Sequence, residues 1–300
     1  MFLLEFDLYS YANLRRPGVL AEIGRAFDAD PRLRPDRMDV RDPIRNKIAS
    51  AAGYLDNAVA LVANEDILFE RRREPHLTGE LSAPAYREAE RWEEAHRLFA
   101  GAGDRDEAWF HDPAHLEAFA RMFVRLVIAF EASYGFAADH QMWRQQAGEF
   151  ARARRRGEFA PQTPGPRSDG HSVRDVYWLN YFGPAYVELW GDRLEGLGTR
   201  REVTPNGGIV IWATETPFVY RDDVESFMSY PWKRPWHEAL GRDTFVNARA
   251  TSWEQRVPSR ADHLRHVPGG AESAPTAPSR NEPSSEDAPA AERGWLFPED

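Results

Sequence analysis

Two histidines, His111 and His115, stand four residues apart in the stretch HDPAH. On a helix that spacing lets two imidazoles share one metal ion. Asp112 followed by Pro113, however, reads as a helix N-cap with proline in the first turn. This puts His111 outside the helix and His115 in its first turn, and no glutamate occupies the metalloprotease position. An ordinary helix start is expected, not a metal site. Carboxylate pairs are the other candidate chemistry. Glu5 and Asp7 are two apart in FLLEFDLYS, which alternates loosely as a strand does, so they share a face. Asp222 and Asp223 are adjacent. An acid–base pair needs a cleft and pKa values driven apart, and both pairs are expected on a solvated surface. The chain has no GxSxG elbow, no GxxxxGKS/T phosphate loop and no GxGxxG after a strand. It also has no cysteine, which removes disulfides, thiolate metal sites and cysteine nucleophiles. The residues point to no catalytic group, no metal and no cofactor.

The elements that would position these side chains follow from periodicity. Residues 2–9 read as a strand. Val19, Leu20, Ile23 and Phe27 follow Pro17 at helical spacing. Asp42 and Pro43 repeat the cap-plus-proline signature ahead of Ile44, Ile48, Ala51 and Leu55, which predicts a second helix. ILFERRR at 67–73 and HLTGELS at 76–82 read as two strands that turn at Glu74 and Pro75. Residues 86–100 read as a polar helix with Trp92, His96 and Phe99 on one side, broken by AGAGDRDEA. Leu116, Phe119, Phe123, Leu126, Val127 and Phe130 recur at threes and fours, with Met122, Val124 and Ile128 on other faces. That predicts a central helix packed between layers. A linker is expected over about 151–172, where four arginines give way to a Pro/Gly cluster.

The densest aromatic run is DVYWLNYFGPAYVELWG, residues 175–191. VYWLNYF has strand composition. Gly183-Pro184 turns the chain into a short helix, and Gly191 is a natural C-cap. REVTPNGGIVIWAT then carries Asn206-Gly207 between two apolar segments, a strong hairpin signal. Strand, helix and hairpin form one unit over 174–214. Its aromatic residues are expected to be mainly core, with Asn180 needing partners if buried. In YPWKRPWHEALGRD, residues 230–243, Trp232, Lys233, Arg234 and Trp236 are a candidate partner contact. The alternative is that both tryptophans pin the segment while the two cations face water. From 257 to 300 the chain is rich in Pro, Ala, Ser and Glu and is expected to be disordered. Trp295, Leu296 and Phe297 form its apolar cluster, a candidate docking peptide for a partner or for the protein's own body.

These elements imply an α+β fold, a mostly antiparallel sheet covered by helices, in one domain over 1–256. The net charge of −10 argues against non-specific nucleic-acid binding. No stretch is apolar for long enough to span a bilayer, and the N-terminus lacks a basic signal-peptide flank. A cytoplasmic location is expected.

The unit YWLNYFGPAYVELWG…TPNGGIVIWATETP resembles the C-terminal signature of bacterial polymorphic-toxin immunity proteins, especially the immunity protein 52 type. The matching residues are Tyr177, Trp178, Asn180, Phe182, Gly183 and Pro184, then Gly207 and Gly208. AFEASYGFAADHQ, residues 129–141, resembles the end of the helix that precedes the signature in such proteins. The resemblance implies a protein that neutralises a cognate toxin by binding it, without catalysis. A hydrolase built on scattered Asp, Glu and His, and a scaffold docking through its C-terminal tail, are the alternatives.

Overall fold

The first strand lies in the interior of a nine-stranded sheet and organises what surrounds it. The computed structural model describes residues 2–62, 65–83, 95–155, 173, 175–219, 229–241, 244–245 and 257–268. The strands are β1 (Phe2–Ser10), β2 (Arg37–Asp39), β3 (Ile67–Arg71), β4 (Leu77–Ser82), β5 (His96–Gly103), β6 (Tyr134–Asp139), β7 (Leu179–Phe182), β8 (Arg200–Val203) and β9 (Ile209–Trp212). They lie in the order β2-β3-β4-β5-β1-β6-β7-β9-β8. Every neighbouring pair is antiparallel. The helices are α1 (Val19–Asp28), α2 (Ala51–Asp56), α3 (Val59–Val62), α4 (Glu107–Phe110), α5 (Pro113–Ala129), α6 (His140–Arg155), α7 (Pro184–Trp190), α8 (Arg234–Leu240) and α9 (Arg260–Arg265). The fold is α+β.

Strand alternation sorts the core into two clusters. Leu4, Phe6 and Leu8 of β1 point to the first, with Met38, Phe69, Leu98, Leu179, Tyr181 and Trp212 from other strands. On them lie Leu20, Ile23 and Phe27 of α1, Leu55 of α2, and Phe119, Phe123 and Val127 of α5. Gly24 lets α1 and α2 touch, because a Cβ there would lie 2.3 Å from the Cα of Ala52. The opposite face carries Tyr9, Tyr134, Phe136, Phe182 and Ile211, covered by Tyr186 and Trp190 of α7 and Trp236 and Leu240 of α8. That second cluster lies over β1, β6, β7 and β9.

Several local expectations hold. Asp112 caps α5, accepting a hydrogen bond from the Ala114 N–H with Pro113 behind it. β3 and β4 pair across Glu74 and Pro75. Asn206 and Gly207 turn β8 into β9, with Gly207 at φ +85°.

Other expectations are corrected. The second helix does not start at Pro43. Met38 N–H donates to Asn46 C=O and Ile48 N–H to Asp36 C=O, so the 44–48 stretch runs beside β2 instead. α2 begins at Ala51, capped by the Ser50 hydroxyl. His96 and Phe99 lie on a strand, not a helix, because β5 is zipped between β1 and β4 along its length. Trp92 lies outside the described residues. AGAG, residues 100–103, lies wholly within that strand. The central helix stops at Ala129, and YGFAAD within the 129–141 stretch is β6. α6 runs to Arg155, so the first arginines of the 151–172 stretch end a helix; its remainder, 156–172, lies outside the described residues. The folded body continues past 257. Ser259 and Asp262 form a reciprocal capping box on α9, and Val257 is buried. The remainder of the expected disordered tail, 269–300, lies outside the described residues.

Trp178 is 3% exposed and stacks on Phe119 of α5 at 6.5 Å between ring centroids. Truncating it to alanine removes a large buried surface where β7 meets α5. Trp178→Ala is expected to lower unfolding stability by about 3–5 kcal/mol in chemical denaturation. A loss under 1 kcal/mol would mean this tryptophan is not part of the core.

Candidate functional site

The residues of the aromatic signature are internal. Tyr177, Trp178, Asn180 and Phe182 are all buried. The Asn180 amide finds partners in a residue that precedes it. Its Oδ1 accepts from Tyr177 N–H at 2.9 Å, and its Nδ2 donates to Tyr177 C=O at 2.7 Å. This closes a turn just before β7, so the regular strand is shorter than the aromatic run. Phe182 packs against Tyr186, Trp190 and Trp236. Gly183 N–H donates to Ser133 C=O, and Pro184 opens α7. The hairpin is tied to β7 through Tyr181, whose hydroxyl accepts from Asn206 Nδ2 at 3.0 Å. A Cβ on Gly208 would lie 2.4 Å from that same hydroxyl. The signature describes how the sheet is assembled, and it offers little surface to a partner.

The second set of candidate residues divides. Arg234 is exposed and pairs with Glu238 along α8, and Trp232 is half-buried. Trp236 is 1% exposed and Lys233 is 0% exposed. Lys233 had been expected in water. Its ammonium pairs instead with Asp175, also buried, and lies 5.2 Å from the Trp232 ring and 5.5 Å from the Tyr230 ring. Burial pulls the lysine pKa down and pushes the aspartate up, and each charge opposes the other's shift. Neither Lys233 nor Trp236 is placed to touch a partner.

His111 and His115 do not converge. His115 stacks flat on Trp109 at 3.8 Å, with Nδ1 2.8 Å from the Trp109 C=O. His111 is largely exposed beside Glu107. Among the described residues no group of three or more His, Asp or Glu is arranged to hold a metal ion. Asp222 and Asp223 lie outside the described residues.

The chemistry expected at the surface lies inside. Glu5 and Asp7 share a face, but they are 6% and 3% exposed. Two oxygens of Asp7 receive Arg97 of β5, Nε to Oδ1 at 2.7 Å and a terminal nitrogen to Oδ2 at 2.9 Å. Tyr9 donates its hydroxyl to Oδ2 at 2.8 Å. Arg97 also reaches Glu80 of β4 at 3.1 Å and lies 5.0 Å over the Phe99 ring. Burial alone would lower the Arg97 pKa, but the Asp7 charge and hydrogen bonds, with Tyr9 and Glu80, outweigh it and raise it. Glu5 faces His140 at the start of α6, 3.0 Å from Nδ1. Next to it, Asp139 is pushed up to about 6, chiefly by burial, against a hydrogen bond from Gln141 N–H and the His140 charge, with Glu5 and Glu107 adding to the rise.

This network borders a partly exposed area. On the β2–β5 half of the sheet, the face opposite α1 and α5 carries Asp39, Leu68, Glu70, Thr78, Glu80 and Phe99. All of these are half-buried except Thr78, which is exposed. Thr78, Glu80 and Phe99 are flanked by Glu70 and Leu68 across the β3–β4 ladder. A cavity of ≈ 680 Å³ opens beside Thr78 at the β3–β4 turn, with Arg71, Arg72, His76 and Arg105 on its wall. The pair Glu5/Asp7 was visible in the sequence. Arg97, Glu80 and His140 were not, since nothing local marks the strand pairing that gathers them, and Asp139, opposite Leu4, projects to the other face of β6.

No protein-family model matches the chain, and no curated protein matches it. The fold is similar to that of a T6SS protein of Pseudomonas aeruginosa, PA0821, with a TM-score of 0.52 and 15% sequence identity. The match covers 91% of this chain and 83% of that one. No helix among the described residues is long and apolar enough to cross a membrane.

Asp139 gives a pH prediction. Unfolded, its carboxyl titrates near the ordinary 3.8; folded, near 6. Between those values the native state binds more protons, so this group's contribution to stability falls as pH rises and stays low above pH 6. Asp139→Asn keeps the acceptor for Gln141 N–H and removes the charge. Relative to wild type, it is expected to gain about 1–3 kcal/mol at pH 8 over its value at pH 4. Taking the difference from wild type cancels the buried His96 and His263, which burial pulls down to about 4. A pH-independent difference would mean Asp139 is ionised at little cost.

Proposed function

We propose that the chain is an immunity-type protein that neutralises a cognate bacterial toxin by occlusion, in the cytoplasm and without turning over a substrate. The observation that carries this reading is the fold it shares, over most of its length, with a T6SS protein. The buried signature residues, which resemble those of polymorphic-toxin immunity proteins, add to it. The net charge of −10 suits a basic partner, since complementary charge speeds encounter and rejects wrong partners. The partly exposed half of the sheet offers a surface for such a partner, with Leu68 and Phe99 among the carboxylates of Asp39, Glu70 and Glu80.

The test mixes the purified chain with the toxin encoded beside its gene. A stoichiometric complex at micromolar concentration, with toxin activity lost, is the expected result. Thr78→Arg should weaken that complex at least about tenfold while leaving the melting temperature within a degree or two, because exposed substitutions rarely alter stability by more than about 0.5 kcal/mol. Absence of a complex would remove the proposal. An intact complex with Thr78→Arg would move the contact to another face.

A further inference from the structure

A groove of ≈ 500 Å³ lies between α1 and α5. Its apolar walls are Val19 and Ala26 of α1 and Ile128 and Ala129 of α5, and three arginines stand around it. Two are neutralised: Arg25 pairs with Glu22 at 2.6 Å, and Arg16 pairs with Glu131. Arg125 is different. Its Nε is buried with no hydrogen-bond partner, and the carboxylate whose charge acts on it, Asp30, is already bound to Arg32 and makes no ion pair with it. Leaving such a group unpaired is costly. The groove therefore combines an apolar floor with one unspent cation, in a chain that is acidic as a whole.

The described chain ends at the rim of this groove. Arg16, which lines it, donates a hydrogen bond at 2.9 Å to the carbonyl of Pro268, the last described residue. Everything that follows in sequence starts from that point. The sequence after it is strongly polar until GWLFPED, where Trp295, Leu296 and Phe297 are followed by Pro298, Glu299 and Asp300. Aromatic bulk next to two carboxylates is the complement of an apolar slot next to a free arginine.

We infer that the groove between α1 and α5 is the seat of the chain's own residues 295–300. The aromatic side chains fill the slot between Val19, Ala26 and Ile128, and a carboxylate of Glu299 or Asp300 pairs with Arg125. Reach is no obstacle. The 27 residues from Pro268 to Trp295 extend at most ~90 Å, and as a free coil they would span ~30 Å. Such tethers give effective concentrations of order millimolar. A segment with an intrinsic dissociation constant of ~0.1 mM would then be about 90% docked, so the short contact needs no great intrinsic strength.

The absence of cysteine makes the test direct. In the full chain, cysteines are introduced in pairs: Ala129→Cys with Gly294→Cys at the groove, and Thr78→Cys with Gly294→Cys on the opposite face of the sheet as reference. Under mild oxidation the groove pair should close within one chain at least ~10-fold faster than the reference pair, reflecting the docked population over a merely tethered one. Adding Arg125→Glu, or Trp295→Ala with Phe297→Ala, should return the groove pair to the reference rate. The tail substitutions alter none of the described residues, so they serve even if Arg125→Glu perturbs the helix. Equal rates for the two pairs, or a fast rate that survives both sets of substitutions, overturns the inference. So does a disulfide that joins two chains, which would give the groove to a second copy.

Discussion

Asp7 is a carboxylate buried in the middle of a nine-stranded sheet, and that burial is tolerable only because Arg97 meets it. An ionised carboxylate taken out of water costs several kcal/mol unless it is paired and hydrogen-bonded. Here the guanidinium engages both oxygens and the Tyr9 hydroxyl adds a third bond. The arrangement constrains topology as well as charge. Arg97 faces Tyr9 across the β1–β5 ladder, two positions from the Phe99–Asp7 pair and on the same face. A slip of one residue would turn Arg97 into the apolar cluster of Leu4, Phe6 and Leu8 and leave Asp7 unmatched. The same guanidinium reaches Glu80, so a single side chain spans β1, β5 and β4. The register of that part of the sheet is thus set twice, by apolar alternation and by one ion pair.

The other half of the sheet solves its burial problem with aromatic rings. Tyr134, Phe182, Tyr186, Trp190 and Trp236 form a continuous cluster of tilted and edge-on contacts between β6, β7, α7 and α8. Such geometries add to plain area burial. One ion pair is again embedded there. Lys233, just ahead of α8, meets Asp175, just ahead of β7, so the helix that closes the cluster is keyed to the strand beneath it. Buried ion pairs of this kind contribute less to net stability than to excluding wrong arrangements, since breaking one partner strands the other. The two halves differ outside. Aromatic bulk seals one face of β6, β7 and β9, while the β2–β5 portion of that face keeps its charged side chains half in water.

What was legible in the sequence is what local signals decide. The Asp112-Pro113 cap, the long apolar period of α5, the Asn206-Gly207 turn and the strand-to-helix step at Gly183-Pro184 each depend on a few neighbouring residues. What failed was decided by distant ones. His96 and Phe99 sit at helical spacing from Trp92, yet β5 is a strand because β1 and β4 supply its hydrogen bonds from both sides. Asp42-Pro43 has the form of a helix start, but the 44–48 segment bonds back to Asp36 and Met38. The candidate site shows the same limit. Glu5 and Asp7 were recognised as sharing a face. Whether that face meets water depends on Arg97, 90 residues away, and on His140, 135 residues from Glu5.

The charges around β1 are constrained in what they can do by what they already do. A general base needs a free lone pair aimed at a substrate, whereas both oxygens of Asp7 are taken by Arg97 and Tyr9. Its neighbour Glu5 faces His140 through one oxygen. Asp139 is pushed up to about 6, and it is burial rather than a facing cavity that does this. Satisfied, mutually locked charges make a stiff and well-defined surface, because Asp7 and Arg97 are each held by two partners before anything docks. Stiffness of that kind lowers the ordering cost of association. The partly exposed face of β2–β5 is backed by such a network, and the proposal that this face covers another macromolecule rests on that backing.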